Sequence, residues 1–167
     1  IQLCLMTAQI ANGGYKIYPK IIVEDKKYNQ PDDKFQQLYK NSRNIKIVQD
    51  AMFGSTNEVM GTSYRSRIND PEYQFAGKTG TAQVKKITER DRELDLKTFE
   101  IPYEERDHAL YVAFGPYKNP RYAISIIVEH GGNGSTTAAP MAKKLFKLII
   151  DRHKLRQSIT NKNYLEI

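Results

Sequence analysis

Lys78-Thr79-Gly80-Thr81 places a cation, two hydroxyls and a backbone unit with no side chain in four consecutive positions. The flanks, Phe75-Ala76-Gly77 before and Ala82-Gln83-Val84 after, are those of a strand. Alternate side chains of a strand point to opposite faces, so one face carries Lys78 and Gly80 and the other Thr79 and Thr81. Twist, or an edge position beside a cleft, lets both sets address one ligand. Each residue type then has a task. Lys78 supplies a charge that can hold a substrate carboxylate, or help keep a neighbouring catalytic lysine neutral. Thr79 and Thr81 offer hydroxyls that can bind a peptide carboxylate. Gly80 lets a substrate lie against the backbone as an added strand. The amide of Thr81 is the candidate donor for an oxyanion hole. Lys78 and Thr81 are therefore the candidate catalytic residues, and Lys78, Thr79, Gly80 and Thr81 the candidate substrate-binding residues.

Competing readings of the same residues fail on spacing. Gly77-Lys78-Thr79 matches the end of a phosphate-binding loop, but the first glycine of that motif should stand where Glu72 is. His130-Gly131-Gly132 has the look of a lipase oxyanion loop, yet no Gly-x-Ser-x-Gly elbow accompanies it, so it is expected to be a glycine-rich turn. His108, His130 and His153 are too few and scattered to make a metal site with Cys4, and no metal or cofactor is expected. His108 is expected as a packed or turn residue at a strand start.

The elements that must position the Lys78 strand follow from periodicity. Residues 1–12 predict a helix with Leu3, Met6 and Ile10 on one face, stopped at Asn12-Gly13-Gly14. Residues 15–25 alternate as an extended segment, with Pro19 marking an edge or an end. A polar connection over 25–43 holds a turn at Pro31-Asp32-Asp33 and a short helical turn around Phe35 to Tyr39. A second helix is expected over about 44–54, with Ile45, Val48 and Met52 on one face and Gly54 to Asn57 ending it. Residues 85–107 form a charged insertion whose core candidates are Ile87, Leu94, Leu96 and Phe99. Strands over 108–115 and 121–129 are joined by a hairpin loop over 116–120. Thr136 or Thr137 is expected to cap a last helix whose apolar stripe is Met141, Leu145, Leu148 and Ile149, flanked by Phe146 and Ile150 and packed on the sheet, followed by a fraying polar tail from Asp151. Crossovers of helix length are missing between the last three strands, so their sheet is antiparallel. The fold class expected is α/β of the α+β kind: an antiparallel meander with one face covered by flanking helices and the other largely bare.

Composition narrows the classes of function. The chain has 167 residues, 40% of them apolar, with 26 Lys and Arg against 19 Asp and Glu for a net charge of +7. It is long enough for one domain or most of one. The charges are interspersed and no nucleic-acid-binding module accompanies them, so nucleic acid is not an expected partner. A basic surface also suits an acidic polymer such as a cell wall. No run of about 18 apolar residues is present, so any membrane contact is expected only through an anchor outside these residues. The single cysteine, Cys4, is expected as a small buried hydrophobe.

Lys78-Thr79-Gly80 resembles the third motif of the serine penicillin-recognising enzymes. Four stretches extend the resemblance to the class B penicillin-binding proteins of the elongation type: AQIANGGYKIYP from Ala8, IVQDAMFGSTNEVMGTSYRSRI from Ile47, FAGKTGTAQV from Phe75, and His108 to Pro116 with Tyr122 to Pro140. The run VQDAMFGSTNE followed by GTSYRSRI carries the elongation subtype. The resemblance implies a penicillin-binding transpeptidase-like fold, of which this is a partial domain: residues 1–152 as its C-terminal portion and 153–167 as a polar tail. It implies acyl transfer on D-Ala-D-Ala-ended stem peptides, cross-linking peptidoglycan, with covalent inhibition by β-lactams. It further implies partners in the cell-elongation complex, a glycosyltransferase and a scaffold, and a place on the periplasmic face of the bacterial inner membrane. A β-lactamase or β-lactam sensor of the same fold, or a noncatalytic binding domain, is the alternative.

One departure is large. The family requires a Ser-x-x-Lys carrying the nucleophile and a Ser-x-Asn on a facing loop. Ser63-Tyr64-Arg65-Ser66 has no lysine in place, Ser66-Arg67-Ile68 has no asparagine, and Ser42, Ser55 and Ser125 fail as well. Both motifs are expected upstream of Ile1, and this segment alone is expected to be inactive. Arg65 and Arg67 are expected to anchor the loop before the Lys78 strand through carboxylates such as Glu58, or to lie plainly on the surface.

Overall fold

The structure, a computed structural model, describes residues 1–21, 36–86, 89 and 96–165, with 160–165 as backbone only. Its centre is a three-stranded antiparallel sheet of β1 (Ala76–Ala82), β2 (His108–Gly115) and β3 (Tyr122–Val128), in the order β1-β2-β3. Three helices pack on it: α1 (Gln2–Ala11), α2 (Ser42–Asn57) and α3 (Ala138–Leu165). The register pairs Lys78 with Val112 and Thr79 with Tyr111, and Val112 in turn with Ser125.

Paired residues share a face, and the two faces have different covers. Ala109, Tyr111 and Ala113 of β2 meet Ala138, Ala139, Ala142, Phe146 and Ile150 of α3, together with Ile68 and Phe75. On the opposite face Ala76 and Phe114 bury Met52 of α2, with Ile10 and Ala11 of α1 alongside. The sheet is thus covered on both faces, not on one. Both β2 faces can be buried because its residues alternate between two apolar sets, small and aromatic on one side and Leu110, Val112 and Phe114 on the other.

The helices differ from their sequence patterns in phase. On α3 the residues inside are Ala138, Ala139, Ala142, Phe146 and Ile150, while Met141, Leu145 and Leu148 face outward, Leu148 at 65% exposure. Alanines let the helix axis approach the sheet closely, and Phe146 then stacks on Phe75 with ring centroids 4.8 Å apart. The backbone of α3 continues through Leu165. Neither threonine caps it: Thr137 Oγ1 donates to Gly131 O and Thr136 Oγ1 to Asn133 O. On α2, Ile45 and Met52 are buried but Val48 is exposed. The helix also runs through Gly54 to Asn57, where Thr56 and Asn57 satisfy their side chains on the carbonyls of Met52 and Phe53. Its N-terminus is capped by Asn41, whose side chain accepts from Arg43 N–H.

On α1, Met6 is exposed and the buried position is Thr7, its hydroxyl satisfied by Leu3 O at 2.7 Å. Gly13 and Gly14 follow with positive φ, as the stop requires. Cys4 is half-buried, its Sγ–H donating to Ala123 O of β3. The expected extended segment from Tyr15 is no strand within the described residues; Tyr15 forms one isolated bridge, to Gln37. Gln37 to Tyr39 is a bridge and bend, not a helical turn, while Ile22, Val23, Phe35, Ile87 and Leu94 lie outside the described residues. In the charged insertion Leu96 and Phe99 are exposed rather than core. Tyr117 in the hairpin loop reaches α2, where its hydroxyl meets Asp50 and accepts from Lys46 Nζ at 3.0 Å. These contacts, Lys46 first and Tyr117 second, hold the Asp50 carboxyl below its usual range.

Candidate functional site

β1 is the terminal strand, with a strand partner on one side only among the described residues. Its register puts Lys78 and Gly80 on the face of Val112 and Leu110, and Thr79 and Thr81 on the face of Tyr111 and Ala109. At an open edge a long side chain can cross from one face toward the other. Lys78 does so: its Nζ donates to Thr79 O at 3.0 Å and to Thr79 Oγ1 at 3.3 Å. The cation and the first hydroxyl are thereby brought together although their side chains leave opposite faces.

Two open clefts meet at Lys78. One, of about 390 Å³, brings together all four residues singled out in the sequence, Lys78, Thr79, Gly80 and Thr81, with Thr62, Asn133 and Ser135. The other, of about 370 Å³, lies against the C-terminal half of α2 and is lined by Asp50, Ser55, Glu58, Gly61, Thr62 and Lys78 among others. Thr62, Asn133 and Ser135 are additions that sequence reasoning missed. They stand on loops 16 or more residues from Lys78, and their local pattern assigns none of them to the Lys78 strand. Asn133 is held by its own turn, Oδ1 accepting from Ser135 N–H and Oγ–H at 2.8 Å each.

The walls of the site are fixed by close backbone packing. A Cβ on Gly134 would lie 2.6 Å from Gly80 O and 2.4 Å from Leu110 O, so the loop before α3 rests directly on β1 and β2. That loop is tied to the strand exit by Asp107, whose carboxylate accepts Val84 N–H at 3.1 Å and whose carbonyl accepts Gly132 N–H at 2.8 Å. His130 sits at φ 53°, its N–H donating to His108 Nδ1 at 2.9 Å. His108 is thus a packed residue at the strand start, and His130-Gly131-Gly132 a turn leading into α3.

Beneath β1 lies a buried hydroxyl knot. Tyr111 OH is 2.9 Å from Thr56 Oγ1 and 3.0 Å from Ser63 Oγ, and Ser63 Oγ donates to Ser55 O at 3.0 Å. The tyrosine passes under Gly77, where a Cβ would lie 2.3 Å from its hydroxyl. Burial raises the Tyr111 phenol above its usual range, with the bonds to Ser63 and Thr56 acting the other way. The knot joins α2, the loop after it, β1 and β2 immediately before Lys78. Among the described residues Arg67 meets no carboxylate; it lies over the Tyr64 ring at 3.8 Å and donates to Tyr64 O.

The model of the penicillin binding protein transpeptidase domain matches residues 1–147. The peptidoglycan D,D-transpeptidase MrdA of Salmonella typhimurium is 41% identical over 105 residues, which are 63% of this chain and 16% of that protein. Among solved structures, Pseudomonas aeruginosa PBP2 in complex with WCK 5153 superposes with a TM-score of 0.64 at 32% identity, covering 86% of this chain and 27% of the other. Helicobacter pylori PBP2, solved as a complex with MreC, gives a TM-score of 0.51 at 31% identity over 66% of this chain and 18% of its own. The matched stretch therefore spans about one-sixth of the length of the MrdA relative. Because the family match takes in β1 with its lysine and both threonines, and PBP2 structures match most of the chain at more than 30% identity, the chain belongs to the penicillin-binding protein transpeptidase family, as a partial domain of the PBP2 type.

Proposed function

We propose that this chain supplies the substrate-carboxylate strand of a serine-type peptidoglycan D,D-transpeptidase acting in cell elongation. The observation that carries the reading is the gathering of Lys78, Thr79 and Thr81 in one cleft along the open edge of β1. An extended stem peptide laid against that edge would place its terminal carboxylate among one ammonium and two hydroxyls. A serine from outside these residues attacks the penultimate D-Ala carbonyl. The tetrahedral oxyanion is met by backbone amides, that of Thr81 among them. The C–N bond breaks and terminal D-Ala leaves as an amine, taking a proton. The acceptor strand's amine then attacks the ester; the ester C–O bond breaks, an amide forms, and a proton lost from that amine restores the serine hydroxyl. A β-lactam follows the first step, and its amide ring opens onto the serine.

We further propose that the full-length protein lies on the periplasmic face of the inner membrane, held by an anchor outside these residues; no helix among the described residues is long and apolar enough to cross a membrane. The complex of Helicobacter pylori PBP2 with MreC supports a scaffold partner from the elongation machinery, and a glycosyltransferase is proposed beside it.

The test is the second-order rate of β-lactam acylation of the full-length protein. Lys78→Ala should lower it about ten- to a hundredfold, since a hydrogen bond to a charged group is worth about 1.5–3 kcal/mol and 1.4 kcal/mol is tenfold. Lys78→Arg should recover part of the loss, because a planar fork does not replace a compact charge. Lys86→Ala, beyond the strand, should leave the rate unchanged. An unchanged rate for Lys78→Ala refutes the site, and rapid hydrolysis in place of a stable adduct indicates a β-lactamase.

A further inference from the structure

We infer that Thr62 is a positioning residue that orients the carboxylate-binding hydroxyl of Thr79. Thr62 and Lys78 are the two residues that line both clefts. Thr62 Oγ1 lies 3.2 Å from Thr79 Oγ1 on one side and 3.2 Å from Ser55 Oγ on the other. The inference rests on the reading of the Lys78 strand as the carboxylate site.

The backbone on either side of Thr62 is pinned to the last turn of α2. Gly61 approaches so closely that a Cβ there would lie 2.5 Å from Gly54 O and 2.4 Å from Ser55 O, and its N–H donates to Glu58 O at 2.8 Å. Ser63, at 1% exposure, donates both its N–H and its hydroxyl to Ser55 O and joins the Tyr111 knot. Thr62, between these two anchors, is exposed to the cleft. Its hydroxyl is presented by a fixed frame, which is what positioning another side chain requires.

Counting protons gives the chain a direction. A threonine hydroxyl has one proton and two lone pairs. Lys78 Nζ donates to Thr79 Oγ1, which occupies one lone pair. If Ser55 donates to Thr62 and Thr62 donates to Thr79, the second lone pair is filled. The Thr79 proton is then left to point into the cleft, where a carboxylate accepts it. Reversing the order spends the Thr79 proton on Thr62 and leaves Thr79 nothing to donate to a ligand. A carboxylate ligand selects the first order, so Thr62 assists only acyl donors that carry one.

The experiment uses the full-length protein with a penicillin and its methyl ester as probes. Thr62→Val keeps shape and removes the hydroxyl; it should slow acylation by the free acid about three- to tenfold and acylation by the ester by less than about twofold. Thr62→Ser should retain the wild-type ratio of acid to ester rates, and melting temperatures of both variants should match wild type. Equal losses with acid and ester would make Thr62 merely structural and overturn the inference. An undiminished rate for Thr62→Val beside a collapsed rate for Lys78→Ala also overturns it while leaving the strand assignment standing. If neither variant slows the acid, the assignment of the strand itself fails, and the inference with it.

Discussion

Tyr111 shows how much a single buried hydroxyl can organise. Its ring is inaccessible and its hydroxyl is shared by Thr56 and Ser63, so the last turn of α2 and the loop after it are fastened to β2 through β1. Tyr111→Phe should cost about 1–2 kcal/mol, the lower part of the range for a buried pair, because Thr56 and Ser63 keep bonds to Met52 O and Ser55 O. Gly77→Ala should cost more, since its Cβ would lie 2.3 Å from a hydroxyl that has no room to withdraw. The raised phenol pKa also has a consequence for alkaline stability. The folded protein keeps a proton that the unfolded chain loses near pH 10, so stability is full below that pH and declines as pH rises through and beyond it. Melting curves from pH 8 to 11 should therefore fall less steeply for Tyr111→Phe than for wild type; parallel curves would show that the phenol is not the source. Tyr117, also raised by burial, is retained in both proteins and drops out of the difference.

At the scale of the element, α3 is decided by its small residues. Ala138, Ala139 and Ala142 are completely buried, and the helix lies close enough for Phe146 to reach Phe75 and the backbone of Gly115. The larger Met141, Leu145 and Leu148 point away. Urea denaturation should separate the two stripes. Phe146→Ala should cost about 3–5 kcal/mol, as removal of a buried aromatic does, and Leu148→Ala should stay within about 0.5 kcal/mol of wild type. A large loss at Leu148 with none at Phe146 would put the other face of the helix on the sheet.

Across the described residues, the sheet lies between α3 on one face and α1 with α2 on the other, and β1 has a strand partner on one edge only. The proposed site along the other edge is asymmetric: the chain holds the cation and the hydroxyls, and among its 167 residues no serine is followed three positions later by lysine. A labelled β-lactam should therefore leave its adduct on a serine outside these residues when the full-length protein is digested and mapped by mass spectrometry. A stoichiometric adduct on Ser55, Ser63, Ser135 or any other serine here would overturn the division of the site between this segment and the rest of the protein.

The sequence by itself determined the strand that bears Lys78, the β2–β3 hairpin, the glycine stop after α1 and the turn at His130, because each is a matter of local period or local φ. It also determined which four residues to watch, since their chemistry is contiguous. Only the tertiary structure decided which face of α3 is inside. Hydrophobicity favours leucine, whereas close packing on a flat sheet favours alanine, and the choice depends on the surface opposite. The same holds for Thr7 and Thr56, polar residues whose burial is offset by hydrogen bonds to helix carbonyls. Thr62, Asn133 and Ser135 became visible beside Lys78 only once the chain had brought three separate loops and strands to one edge. Contacts between residues distant in sequence leave no periodic trace, and a hydroxyl gains a direction only from the neighbours that donate to it.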